Sequence, residues 1–292
     1  MRLVTYSDGT NTKLGVVKND GVIDLGKHIA GLPSGMIGLI TEWARIRPRA
    51  VELAEKLPAD APLASVHLLA PVPRPGKIFA IGLNYADHIK ESGQPTPRHQ
   101  TWFTKAVTSV NGPFDPILLP AASALIDYEA ELVVIIGRRC KHVSKERAHE
   151  VVFGYAAGND VSVRDWQMRS GQWVIGKSFD THAPIGPWIV TADELGDPHT
   201  LGIRCLVNGE LRQNSNTKNL VFGVFDEIAY LTQAMTLEPG DVLFTGTPGG
   251  VGAASKPPRW LKEGDRVRVE IDGIGAIEAS MKSETIEKTG DR

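Results

Sequence analysis

In Asp127-Tyr128-Glu129-Ala130-Glu131-Leu132-Val133-Val134-Ile135-Ile136 a polar start passes into five unbroken apolar residues before Gly137. An apolar run of that length, bounded by glycine, reads as a strand buried on both faces. Side chains two apart on a strand share a face, so Glu129 and Glu131 project side by side. Two carboxylates that close repel at the mouth of a buried strand, and each pKa rises unless a cation lies between them. The cation can be a lysine, an arginine or a metal. A solvated strand face accounts for Glu-x-Glu with no cation at all. Asp160, in Gly158-Asn159-Asp160-Val161-Ser162, follows about one helix and one strand later. From an adjacent strand it would complete an all-oxygen site, which suits Mg²⁺, Mn²⁺ or Ca²⁺ rather than zinc.

Outward from this run the chain is strand-rich. Lys77–Ile81, Trp188–Val190 and Val242–Phe244 are short apolar strand candidates. Val267–Ile271 alternates and turns at Asp272-Gly273 into Ala276–Ala279, a hairpin pattern. One helix is expected to begin at Ser144, a good N-cap, and to run through Ala148 and Val152. A second is expected from about Leu220 to Met235, with Val221, Val224, Phe225, Ile228 and Leu231 on one face. Toward the N-terminus, Leu3–Tyr6 and Leu14–Val17 read as strands, with turn chemistry at Asn19-Asp20-Gly21. A helical stretch from Met36 to Leu57 is expected to be interrupted near Pro48. The connector Pro71-Val72-Pro73-Arg74-Pro75-Gly76 is stiff and extended, which places a boundary between a small α+β unit (1–70) and a larger domain (71–292). Few helices and many short strands predict a β-dominated α+β fold.

At 292 residues, with 42% hydrophobic and 23% charged residues, the composition is that of a globular protein. A formal charge of −2 and the lack of a basic stripe give no reason to expect nucleic acid or an anionic membrane as partner. Two cysteines are too few for a disulfide framework, and no run reaches the roughly 20 apolar residues of a membrane span. With no signal-peptide pattern at its start, the chain is expected to be cytoplasmic.

Three further patterns bear on chemistry. His88 and Glu91 lie three apart in a helical turn, where a carboxylate can orient an imidazole as a general base toward water; a surface pair explains the spacing as well. Lys177 ends an apolar approach, Trp173-Val174-Ile175-Gly176, and when desolvated could stabilise an enolate or a carboxylate; a solitary exposed lysine is the plain alternative. Gly171–Ser178 matches G-x-x-x-x-G-K-[ST] letter for letter. Its bulky interior, the polar segment before it and the prolines after it argue against a phosphate loop. Thr245–Gly252 reads as an irregular glycine loop that can bring backbone and the Thr247 hydroxyl close to a small ligand.

Together these strings resemble the fumarylacetoacetate hydrolase family. The likeness runs from about Lys77 to Met281. It rests on Ile81–His88, Asp127–Leu132, Gly154-Tyr155 with Asn159–Ser162, Gly176–Ser178, Val207–Glu210 and Glu238–Pro248. The resemblance implies a mixed β-roll catalytic domain, usually in a homodimer, with Mg²⁺ or Mn²⁺ held by Glu129, Glu131 and Asp160. It implies substrate contacts at Gln167, Lys177 and Thr247, and a water-activating dyad at His88 and Glu91. Leu83 stands where several acylpyruvate hydrolases carry arginine, and Lys256-Pro257-Pro258 is closer to the sugar-acid branch, 2,4-diketo-3-deoxy-fuconate hydrolases and ureidoglycolate lyases included. The expected activity is hydrolysis of a carbon–carbon bond in a 2,4-dioxo acid, an acylpyruvate or a diketo sugar acid. The alternative on the same residues is an oxaloacetate-type decarboxylase or an isomerase of an unsaturated 2-oxo diacid. A non-catalytic ion-binding protein is the reading from another class.

Overall fold

The computed structural model describes residues 1–285. A 12-stranded sheet dominates the chain, joined by a five-stranded sheet and a two-stranded ribbon. Its path runs through Gly21–Asp24, Thr12–Lys18, Arg2–Ser7, Ala183–Thr191, Val152–Asn159, Ala130–Ile136, Val242–Phe244, Ile78–Gly82 and Thr101–Thr104. Along that stretch the pairs are antiparallel, except for the parallel contact of Val242–Phe244 with Ile78–Gly82. The five-stranded sheet holds the Arg266–Ile271 and Gly275–Ser283 hairpin, as the alternation predicted. The chain is mostly β and mixed in strand direction, in agreement with the expected fold class.

Ala130–Ile136 is buried at all seven positions because two strands flank it and two separate cores cover its faces. Ala130, Leu132, Val134 and Ile136 pack with the five-stranded sheet and the Val224–Ala234 helix. Val133 and Ile135 pack with Ile46, Ala50 and Leu53 of the helix Trp43–Lys56. The N-terminal segment is therefore continuous with the large sheet: Leu3 pairs with Ile189, and Trp43 meets Phe153 edge-on at 5.5 Å.

Three helix expectations need correction. The segment after Ser144 is a 3₁₀ helix, Lys145–Val151, with no side-chain cap, and Val152 already begins a central strand. Burial of Val152–Asn159 in the sheet overrides the local helical pattern. The 36–57 stretch breaks at Glu42 rather than at Pro48, which lies inside the Trp43–Lys56 helix. The Leu220–Met235 helix is shorter, Val224–Ala234, and its buried face includes Glu227.

Candidate functional site

Strand direction assembles the site. Ala130–Ile136 runs antiparallel to Val152–Asn159 and to Val242–Phe244, so the start of the first meets the ends of the other two. Ile78–Gly82, parallel to Val242–Phe244, ends there as well. Glu129 and Glu131 flank the first residue of one strand, Asp160 follows Asn159, the glycine loop follows Phe244, and His88 lies just beyond Gly82. The pairing of Ala130 with Asn159, with the Asp160 amide donating to the Glu129 carbonyl at 2.9 Å, sets the third carboxylate beside the first two. Oxygens of Glu129, Glu131 and Asp160 lie within 4.8 Å of one another, and all three residues are buried.

These carboxylates sit in a charge network that sequence spacing did not reveal. The Lys177 ammonium bridges Glu129 Oε2 at 2.6 Å and Asp160 Oδ2 at 2.7 Å. Lys105 donates to Asp160 Oδ1 at 2.6 Å, and to the carbonyl of Lys177. Arg164 reaches Glu129 Oε1 at 2.7 Å and Asp127 Oδ2 at 2.8 Å. Its other nitrogen donates to Gln167 Oε1 at 3.0 Å, one helical turn away. Burial opposes ionisation of Glu129, but Lys177 and Arg164 outweigh it and hold the carboxyl below its ordinary range. Glu131 differs. Burial, Asp160 and Glu129 together push its carboxyl well up, opposed by Lys177 and by the Gly246 amide at 2.6 Å. Asp127, Glu129, Glu131 and Asp160 thus face three cations, and Glu131 forms no ion pair among the described residues.

That arrangement fits a hard divalent ion. Its donors are all oxygen, they converge, and the one carboxylate without an ion-pair partner is a member of the triad. Sequence patterns could have pointed to Arg164 through its i, i+3 relation to Gln167. Lys105, an isolated lysine after Phe103-Thr104, carried no such signal; only tertiary contact brings it in.

A cavity of about 890 Å³ opens over the triad. Glu129, Glu131, Arg164, Gln167, Lys177 and Thr247 line its floor side, and Leu83, Phe103, Trp173 and Val251 give it apolar walls. His88 and Glu91 line it too, from the helix Ala86–Ser92. Nδ1 of His88 lies 3.4 Å from Glu91 Oε2, and Glu91 accepts the Gly250 amide at 2.9 Å. Burial raises the Glu91 carboxyl, but His88 and the Gly250 amide outweigh it and bring it below the usual value. Thr247 Oγ1 accepts from Gln213 Nε2 at 2.8 Å, which leaves its own proton available to a ligand.

Two glycines matter here. Gly246 has φ +99°, and a Cβ there would lie 2.8 Å from Asn84 Cβ. Gly176 lets the short helix Val174–Lys177 press on Gln167, whose backbone nitrogen is 2.2 Å from where a Cβ would be. Gly171–Ser178 is thus no phosphate loop: Lys177 points its ammonium at the carboxylates.

A family model described as fumarylacetoacetate (FAA) hydrolase C-terminal matches residues 77–282. Over 287 residues the chain is 45% identical to an oxaloacetate tautomerase, fahd2, mitochondrial, of Xenopus laevis, spanning 95% of this chain and 89% of that one. The solved maleylpyruvate hydrolase from Sphingobium sp. SYK-6, in complex with manganese(II) ion and pyruvate, superposes with a TM-score of 0.83 at 37% identity, over 98% of this chain and 100% of that one. A 5-carboxymethyl-2-hydroxymuconate delta-isomerase from Mycobacterium smegmatis does so with a TM-score of 0.77 at 34% identity, over 98% and 100%.

Proposed function

The chain belongs to the fumarylacetoacetate hydrolase family, and from that premise we propose that it is a tautomerase of an oxaloacetate-type 2-oxo acid, moving a proton between carbon and oxygen without breaking a carbon–carbon bond. The observation that carries this reading is one cavity onto which Glu129 and Glu131 of a convergent carboxylate triad open beside a carboxylate-oriented histidine. A tautomerase at 45% identity over nearly the whole chain supports it over bond hydrolysis.

A divalent ion held by Glu129, Glu131 and Asp160, Mg²⁺ or Mn²⁺, would supply Lewis acidity toward the carboxylate and 2-oxo oxygen of the substrate. Glu91 accepts from Nδ1 of His88, so Nε2 takes the proton from the carbon next to the oxo group. It delivers that proton to the 2-oxygen, giving the enol, and runs the same transfer backwards from enol to ketone. Lys177 spends two of its N–H bonds on Glu129 and Asp160; the third is the one available to an enolate oxygen. The Thr247 hydroxyl and the Gln167 amide fix the carboxylate end. Phe103 and Trp173 keep bulk water from the reacting carbon.

Purified protein, stripped with EDTA and then reloaded with Mn²⁺, is to be mixed with enol-oxaloacetate while the ultraviolet absorbance of the enol is followed. Loss of the enol should outrun the spontaneous rate only in the loaded sample. The His88→Ala variant should lose about 100-fold or more in rate while still binding Mn²⁺ by electron paramagnetic resonance. No acceleration in the loaded wild-type sample would sink the proposal.

A second reading rests on the same pair. His88 and Glu91 could direct water at the 4-carbonyl of a 2,4-dioxo acid, and the maleylpyruvate hydrolase likeness supports that chemistry. Carboxylic acid release from acylpyruvates, with oxaloacetate left untouched, would favour it.

A further inference from the structure

The ionisable groups around the cavity are unevenly committed. Arg164 is bound to Asp127 and Glu129, Lys177 to Glu129 and Asp160, and His88 to Glu91. Among the cations that line the cavity, Lys256 is the exception. It lines the same cavity from the segment Ala253–Pro258, it is exposed, and it has no carboxylate within 4 Å and no hydrogen-bond partner among the described residues. Ser255 beside it is a neutral hydroxyl, as is Ser92 from the helix that carries His88.

The cavity's size gives that free charge a purpose. A three-carbon 2-oxo acid head fills only a small part of about 890 Å³. Leu83, Phe103, Trp173 and Val251 add apolar surface to the same cavity, and the Lys256 ammonium lies more than 4 Å from every carboxylate of the triad. A ligand that fills the space therefore meets the carboxylate network, apolar surface and a single unpaired ammonium. A flexible four-carbon stem lets that ammonium follow chains of different length, as a point charge rather than a rigid fork. Exposed and unpaired, it gives up little on meeting a carboxylate.

We infer that Lys256 is the specificity-determining residue that selects 2-oxo acids bearing a second carboxylate remote from the 2-oxo end. This rests on the proposed function, whose oxaloacetate-type substrates already carry a second carboxylate, and makes Lys256 the residue that reads it. Lys256 acts on binding of the far end and takes no part in the proton transfer.

The test uses stable ligands, so that binding is read apart from turnover. Mn²⁺-loaded full-length protein is titrated by calorimetry with 2-oxoadipate and with 2-oxohexanoate, which have equal chain length and differ in the terminal carboxylate. Wild type should prefer the diacid by about tenfold, and the preference should shrink as salt rises. In Lys256→Met the ratio of the two affinities should fall toward one; in Lys256→Arg it should be largely kept. A ratio unchanged in Lys256→Met, or a wild type with no preference, overturns the assignment and leaves the proposed function standing. Failure of both acids to bind loaded wild-type protein overturns the two together.

Discussion

Lys177 and Glu131 face the same carboxylates with opposite consequences. Lys177 is buried, yet Asp160 and Glu129 outweigh the loss of hydration and hold its ammonium above the ordinary range. Removing that charge in Lys177→Met leaves two buried carboxylates short of a partner, an expected loss of about 3–5 kcal/mol in metal-free protein. Added Mn²⁺ should restore much of it, since the ion neutralises the same oxygens. Thermal melts with and without Mn²⁺ check this, and a loss equal in both conditions would contradict it. Glu131→Gln should do the reverse. It removes the carboxylate that its neighbours penalise, so the metal-free melting temperature should rise by a few degrees, about 1 kcal/mol or more. Mn²⁺ affinity should fall in the same variant. A variant that melts lower without metal would show that the repulsion is already relieved by other means.

At the scale of the element, the helix Ala86–Ser92 is held at its entrance rather than along its length. Asn84, fully buried, shares the two N–H bonds of Nδ2 among the Phe222 carbonyl, the Thr245 carbonyl and Glu227 Oε1, all within 3.0 Å, and accepts the Phe222 amide. It therefore ties the start of the His88 helix to both the glycine loop and the Val224–Ala234 helix. Asn84→Ala should cost about 2–4 kcal/mol by denaturant midpoint, because several buried partners lose their bond at once. Glu227 makes the same junction sensitive to pH. Burial first, and then the Asp226 charge, hold its carboxyl well above the ordinary 4.5. A folded value above the unfolded one means stability that is full below about 4.5 and is lost as pH rises toward the folded value. Glu227→Gln keeps the acceptor for Asn84 and removes the proton, so it should gain on wild type steadily from pH 5 to pH 8. Parallel stability curves across that range would contradict the assignment. None of this could be read from sequence, because Asn84 and Glu227 are 143 positions apart. The triad was legible for a local reason: a strand's period of two fixes Glu129 beside Glu131, and the next strand's end supplies Asp160. The failures share a physical cause as well. Ser144 had cap chemistry, but the sheet claimed Val152, and Pro48 is accommodated within a helix that Ile46, Ala50 and Leu53 anchor to the core.

On the scale of the whole molecule, the strand that carries the carboxylates depends on the first 70 residues. Leu3, Leu14, Ile23, Leu39, Ile46 and Leu53 share one core with Val133, Ile135, Phe153, Ile189 and Phe244. Arg2–Ser7 joins the large sheet at the end of Ala183–Thr191, pairing Arg2 with Val190 and Leu3 with Ile189. The proline connector marks a change in composition along the chain, while the core runs straight across it. A chain starting at Pro71 would expose those apolar faces and leave Ile189 and Val190 unpaired toward the missing strand, a poor start for folding and a site for aggregation. The loss of so many buried side chains, each worth about 2–5 kcal/mol on truncation, exceeds the roughly 5–15 kcal/mol by which domains are usually stable. The 71–292 fragment should therefore fail to give a cooperative melt, and the full chain should unfold in one transition by both far-ultraviolet circular dichroism and tryptophan fluorescence. Leu53→Ala offers the gentler version. It lies far from the cavity, yet its loss of about 2–5 kcal/mol should appear in that same single transition rather than in a separate early one. Two resolved transitions, or a 71–292 fragment that folds and binds Mn²⁺, would show that the N-terminal segment is a separable attachment instead of the back wall of the strand that carries the carboxylates.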